Sequence, residues 1–230
     1  MQKYFHCACL KFCFLQNQPI VKKIFLIIAF FFAVKEAASQ HKIQLEVQGG
    51  TTINFRSPLK IERAGYETYT IHARYKTHSF KSPYYYVVYL GLWNKDKTAW
   101  GLRFTHQKII LQNPNESLTH FEISHGYNML VLTRTWNNKW FMWHAGAGVV
   151  IAHPESIIDG VGFVGKGKGY YLSGVAAEAG IGKHFDITKW LYATTETKFS
   201  AGWARVPING GHATAPNEAF HFAGGLGLRF

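Results

Sequence analysis

The sequence predicts an all-β protein: an eight-stranded antiparallel up-and-down transmembrane β-barrel with a filled lumen. Three observations predict it. First, the last eleven residues alternate. Phe220, Phe222, Leu226, Leu228 and Phe230 share one parity, and His221, Ala223, Gly225, Gly227 and Arg229 the other. Successive strand residues point to opposite faces, so one face is apolar and the other small or polar. In a membrane barrel those faces meet lipid and lumen. Second, up to eight such alternating segments run along the chain, with no convincing amphipathic helix. Third, Lys22-Lys23 precede an apolar run from Ile24 to Val34 that is followed by Ala37-Ala38-Ser39. That is the order of a secretory signal peptide.

Taken in order, residues 1–39 read as leader and signal peptide, with cleavage near Ser39-Gln40. The apolar run is too short to span a bilayer as a helix. Residues 1–20 lie upstream of the signal, which makes Val21 a candidate start. All three cysteines, Cys7, Cys9 and Cys13, fall in this leader. The mature chain then has no disulfide, thiolate metal site or cysteine nucleophile. Loss of the leader removes five lysines and Glu36, lowering the net charge from +12 to +8. Such an excess suits an acidic partner. Export excludes nucleic acid and leaves the phosphate-rich lipopolysaccharide of the bacterial outer membrane as the neighbour.

Residues 40–67 read as a periplasmic lead-in or an extra short strand, and 68–230 as the barrel. Its strands are expected near 68–77, 82–94, 98–110, 118–135, 140–153, 169–184, 190–206 and 218–230. Ser82-Pro83, Asn94-Lys95-Asp96, Asn113-Pro114, Asn137-Asn138 and Asn209-Gly210-Gly211 punctuate them. Each is long enough for a membrane strand of about 9–11 residues. Entry from the periplasm places the short connections near 95–97, 137–139 and 185–189 on that side. Trp93, Trp100, Trp136, Trp140, Trp143 and Trp190 lie near those ends, as an interfacial aromatic girdle would.

Parity also places polar residues opposite the apolar faces. Arg74, Arg103, Glu122, Glu178, Glu196, Lys198 and Arg229 form the expected lumen network, with Ser124, Asn128 and His144 on the same faces. Charges in a narrow lumen must be paired, and the mixture of signs allows it. At the outer end, histidines converge: His106 at the outer end of segment three, His125 in segment four, His153 at the end of segment five and His212 before segment eight. Histidine ligates metals and moves protons near neutral pH. His106, His153, Glu155 and Asn128 are the candidate catalytic residues. Thr105, Lys108, Lys166 and Lys168 are the candidate substrate contacts, suited to head-group phosphates. A divalent metal is a cofactor such groups could hold.

The segments Trp100-Gly101-Leu102-Arg103-Phe104-Thr105-His106-Gln107-Lys108, His125-Gly126-Tyr127-Asn128-Met129-Leu130 and Gly146 to Pro154 together resemble bacterial outer-membrane barrels related to lipid A oxidase. Gly169 to Gly174 and Glu196-Thr197-Lys198 continue the likeness in order, over residues 98–230. The resemblance implies oxygen-dependent oxidation of the reducing-end glucosamine of lipid A. The terminal Phe230 similarly resembles the signal read by the barrel assembly machinery. Two other functions fit the same chain. One is a lipid A deacylase, but Ser124 and His125 are adjacent and so should point to opposite faces, and His212-Ala213-Thr214 offers Thr in place of Ser. The other is a non-enzymatic barrel that braces the membrane or binds lipopolysaccharide.

Overall fold

A computed structural model of the chain describes residues 42–165 and 169–230. The expected leader, the cleavage site at Ser39-Gln40, and Lys166 and Lys168 lie outside the described residues. The described chain forms strands β1 (Lys42–Asn54), β2 (Ser57–Arg63), β3 (Tyr69–Ala73), β4 (Tyr75–Lys76), β5 (Tyr86–Trp93), β6 (Thr98–His106), β7 (Ile109–Leu111) and β8 (Leu118–Ile123). They are followed by β9 (Tyr127–Asn137), β10 (Met142–Ala152), β11 (Glu155–Ile158), β12 (Val161–Val164), β13 (Tyr171–Asp186), β14 (Leu191–Ile208) and β15 (Gly211–Arg229). Eight of them close a ring in the order β1-β5-β6-β9-β10-β13-β14-β15, with β15 returning to pair with β1. Closure leaves no strand edge unpaired within the ring, which a membrane demands.

The inward–outward alternation decides what each face meets. On β6, Ala99, Arg103 and Thr105 are buried inside while Trp100 and Leu102 are exposed. On β15, Asn217, Ala219 and His221 are buried while Phe220, Phe222 and Leu226 are exposed. Leu45, Val47, Leu90, Leu132 and Val175 extend the apolar exterior around the ring. A continuous apolar surface of this kind belongs against lipid, so the protein is a transmembrane β-barrel of the outer-membrane type.

Three tight turns share one end of the ring. Asp96 Oδ1 accepts the Thr98 amide at 3.1 Å, Asn138 Oδ1 accepts the Trp140 and Phe141 amides at 2.9 Å each, and Thr188 Oγ1 accepts the Leu191 amide at 2.9 Å. These side-chain acceptors close the turns locally, and their short length marks the periplasmic end. Trp100, Trp136, Trp140, Trp143 and Trp190 are exposed near it. Trp93 is the exception to the expected girdle. It shares the inward parity of Val87 and Tyr89, and packs with Ala99 and Met142 inside the barrel mouth.

The first ring strand also differs from the expectation. Within the expected lead-in or extra short strand, residues 42–54 form a full ring strand: β1 pairs with β15 from Gln44↔Arg229 to Asn54↔Ala219. Gln44, Glu46 and Gln48 point inward and Leu45 and Val47 outward. The strand is thus amphipathic in the barrel sense, and its polar half and the Gly49-Gly50 pair hid it from a search for apolar runs. Segment 68–77 instead falls in β3 and β4, outside the ring. β2 extends the outer end of β15 and carries β3. β4, β7, β8, β11 and β12 form a second, five-stranded sheet from the outer connections. Segments 98–110 and 118–135 each divide, the outer part joining this sheet.

The interior consequently has two halves. Toward the outside, Leu59, Ile61, Ile109, Leu118, Phe121 and Ile123 of the extensions bury with Tyr127, Met129, Val131 and Val206 of the ring in one apolar core. Burial of each large apolar side chain contributes about 1.5–3 kcal/mol. Toward the periplasm the interior is polar.

Candidate functional site

The polar half of the lumen is an ion-pair network. Arg103 Nη1 donates to both Glu196 oxygens at 2.8 and 2.7 Å, and Arg103 Nε lies 3.3 Å from Glu178 Oε1. Lys198 Nζ donates to Glu178 Oε2 and to Thr105 Oγ1, both at 2.7 Å. His144 lies 3.9 Å from both Glu178 and Glu196. Nearer the mouth, Glu46 Oε1 accepts from Tyr192 at 3.0 Å and lies 2.9 Å from His184 Nε2. Higher up, His221 bridges Tyr85 at 3.0 Å and Ser200 at 2.7 Å. Gly180 gives this network its room: a Cβ there would stand 2.5 Å from the His144 ring and 2.6 Å from Lys198 Cβ. A cavity of about 20 Å³ lined by Glu46, Trp93, Arg103 and His144 is left in the network. One or two waters fill such a space, so this half of the lumen is a packed plug and not a pore.

Four of the seven expected lumen residues, Arg103, Glu178, Glu196 and Lys198, meet here. Arg229 lies at the periplasmic mouth, 2.8 Å from Asp186 and with its guanidinium over Tyr192. Arg74 and Glu122 belong to the outer extensions and not to the lumen: Arg74 is exposed, and Glu122 lies 3.6 Å from His120. Both sit on the segments that leave the ring, so a parity counted along the ring does not apply to them. Thr105 is a lumen residue, holding Lys198, and is turned away from any rim substrate. Glu46, His184 and His221 complete the network. His221 was legible as an inward position of the last strand, whereas Glu46 was hidden with β1.

The second constellation is at the outer rim, facing outward. Tyr86, His106 and Asn128 are neighbours across β5, β6 and β9. The Tyr86 and His106 rings stack at 5.0 Å and 11°, and His106 Nδ1 lies 2.8 Å from Asn128 Oδ1. With that oxygen accepting, Nδ1 carries the proton and Nε2 keeps its lone pair. His106 Nε2 is buried and has no hydrogen-bond partner among the described residues. Asn128 faces outward with His106, where parity had counted it among the inward residues.

Beside them, His125 Nδ1 lies 2.9 Å and His153 Nδ1 3.8 Å from Glu155 Oε1. The two imidazoles are 4.9 Å apart, and Tyr170 packs edge-on against His153 at 5.3 Å. The Tyr170 hydroxyl donates to the His125 carbonyl at 3.0 Å, fixing the bend that carries His125. His125, His153 and Glu155 could hold a metal ion: one ligand atom from each lies within 4.8 Å of the others.

Ser124 Oγ lies 3.4 Å from His125 Nδ1. Residues 124–126 are outside any strand, so this neighbouring pair can touch where strand parity would have separated it. The contact does not make a relay. Glu155 occupies the same Nδ1, and one nitrogen cannot take a proton from serine while donating to a carboxylate. Lys108, expected to meet substrate, is committed elsewhere: its Nζ donates to the Lys81 and Ser82 carbonyls at 2.8 and 3.0 Å. Burial lowers its pKa from the ordinary lysine value, with Glu122 opposing. In the outer extension, the Ser117 hydroxyl and Arg63 hold the Asp159 carboxyl below its usual pKa, tying the β11–β12 turn to β2.

No protein-family model matches the chain, and no curated protein matches it in sequence. Several solved structures are similar in fold. The outer-membrane protein AlkL in lipid bilayers is 9% identical with a TM-score of 0.46, over 83% of this chain and 90% of that one. Outer Membrane Protein W of E. coli is 14% identical with a TM-score of 0.42, over 83% and 98%. Ail of Yersinia pestis, in complex with the heparin analogue sucrose octasulfate, is 9% identical with a TM-score of 0.41, over 83% and 99%. Likenesses at this level carry no functional information.

Proposed function

We propose that this protein resides in the bacterial outer membrane and oxidises the reducing-end glucosamine of lipid A at the outer leaflet, with molecular oxygen as oxidant. The observation that carries the reading is the outward-facing rim cluster of His106–Asn128 and His125–His153–Glu155. Titratable groups on the lipid side of a barrel are expensive unless they have work there. They lie at the outer ends of β6 and β10, where this reading sets the lipid head groups. A substrate reaching them would be a membrane lipid with a polar head. The ordered sequence likeness to the lipid A oxidase family supplies the chemistry.

In this reading Asn128 holds the His106 ring, and His125, His153 and Glu155 complete the site that meets the sugar. The basic surface would favour phosphorylated head groups. The deacylase reading lacks support, because His125 meets its acid and its serine through one nitrogen. The test is mass spectrometry of lipid A from cells with and without this protein, in a host lacking related barrels. Gain of one oxygen supports the reading. Unchanged lipid A, with the protein folded in the outer membrane, overturns it in favour of a structural or lipopolysaccharide-binding barrel.

A further inference from the structure

We propose that His125, His153 and Glu155 form a divalent transition-metal site at the outer rim. The three side chains supply two imidazole nitrogens and one carboxylate oxygen, a borderline donor set that suits zinc, iron and cobalt better than calcium or magnesium. Their ligand atoms lie within 4.8 Å of one another. A tetrahedral ion with bonds of about 2.0–2.1 Å sets its ligands about 3.3 Å apart. The pairs to Glu155 Oε1, at 2.9 and 3.8 Å, straddle that spacing. His125 is largely exposed, with 57% of its side chain accessible, so its ring has room to turn.

A second observation is independent of that clustering. His153 Nδ1 is buried and has no hydrogen-bond partner among the described residues, although a lone buried ring nitrogen is costly. The ring cannot turn to relieve it. Its Nε2 edge is pressed against Gly169, whose φ of 68° and lack of a Cβ allow the approach, and Tyr170 closes its side. The fold therefore aims an unsatisfied ring nitrogen at Glu155. A bound cation satisfies it and neutralises the carboxylate.

Two imidazoles and a carboxylate with open positions is the donor set of catalytic zinc sites and of oxygen-using non-haem iron sites. An assignment to ferrous iron would rest on the oxidation reading above, whereas the site itself rests only on this geometry.

The test is a Co²⁺ titration of the full chain folded in detergent micelles, followed by visible absorption and by metal content. One Co²⁺ per chain is expected, with at least a tenfold weaker affinity in both His153→Ala and Glu155→Gln. The Glu155→Gln change keeps the side-chain shape, and heat-modifiable gel mobility reports folding of each variant. His120→Ala, which removes the neighbouring exposed His120–Glu122 pair, should bind as the parent does. Absence of stoichiometric Co²⁺ uptake by the folded parent, or parental affinity in both site variants, overturns the proposal. Stoichiometric binding that both site variants weaken, without any lipid A oxidation in the iron-loaded protein, supports the metal site and overturns the oxidation reading alone.

Discussion

Replacing Lys198 by Met should be among the most damaging single changes in the ring. The Lys198 and Glu178 side chains are fully buried, and the ammonium gives one hydrogen bond to Glu178 and one to Thr105. Methionine fills nearly the same volume but removes the charge. Glu178 is then left with Arg103 at 3.3 Å, and three buried carboxylates, Glu46, Glu178 and Glu196, face a single guanidinium. Breaking a buried ion pair by deleting one partner costs about 3–5 kcal/mol, mostly from the stranded charge. Adding Glu178→Gln removes that charge and should recover most of the loss. The assay is urea unfolding of the purified barrel in lipid vesicles, followed by tryptophan fluorescence, for the parent, both single variants and the double variant. A Lys198→Met midpoint within error of the parent, or additive losses in the double variant, would refute the network as a coupled unit.

Trp93→Ala should cost about 3–5 kcal/mol through the cavity it opens; unchanged unfolding would count against its inward placement. Deleting Phe230, whose backbone amide donates to Ile43 at 2.9 Å as the ring closes, should impair assembly, and normal membrane insertion of that variant would contradict the role given to it. The Asp159 carboxyl has a lowered pKa, so its tie to Ser117 and Arg63 is fully present above the ordinary aspartate value and fades as pH falls through the folded value. Amide exchange in residues 155–164 should therefore rise below about pH 4 in the parent but be pH-independent in this respect in Asp159→Asn. His106→Ala and His153→Ala should each abolish lipid A modification while leaving heat-modifiable mobility unchanged; modified lipid A in both variants would dismiss the rim site.

Much of this architecture is legible in the sequence because lipid and lumen impose opposite demands on alternate residues. Phe220, Phe222 and Leu226 against His221 is the clearest instance, and the same parity placed Arg103, Glu178, Glu196 and Lys198 together before any coordinates. The rule fails where the surroundings change. β1 reads Gln44-Leu45-Glu46-Val47-Gln48, a barrel strand whose inward polar residues dilute its apolar signal. Arg74 and Glu122 leave the ring for an outer sheet, where the faces meet water and an apolar core. Trp93 shows that tryptophan near a membrane boundary can equally be a plug, since only its parity with Tyr89, and not its type, tells the two apart. At the rim, His106 and His153 could be named individually. Their convergence with His125 was also expected from the hairpin order, but the contact of His125 with Ser124 depended on a bend at residues 124–126, which periodicity does not encode.

We propose that the rim cluster acts on lipid A. Purified protein reconstituted in vesicles containing lipid A, incubated with and without oxygen and read by mass spectrometry, tests it most directly. A product heavier by one oxygen is expected, forming only under oxygen and not in His153→Ala. Unmodified lipid A in the presence of folded parent protein, loaded with ferrous iron and supplied with oxygen, would contradict it.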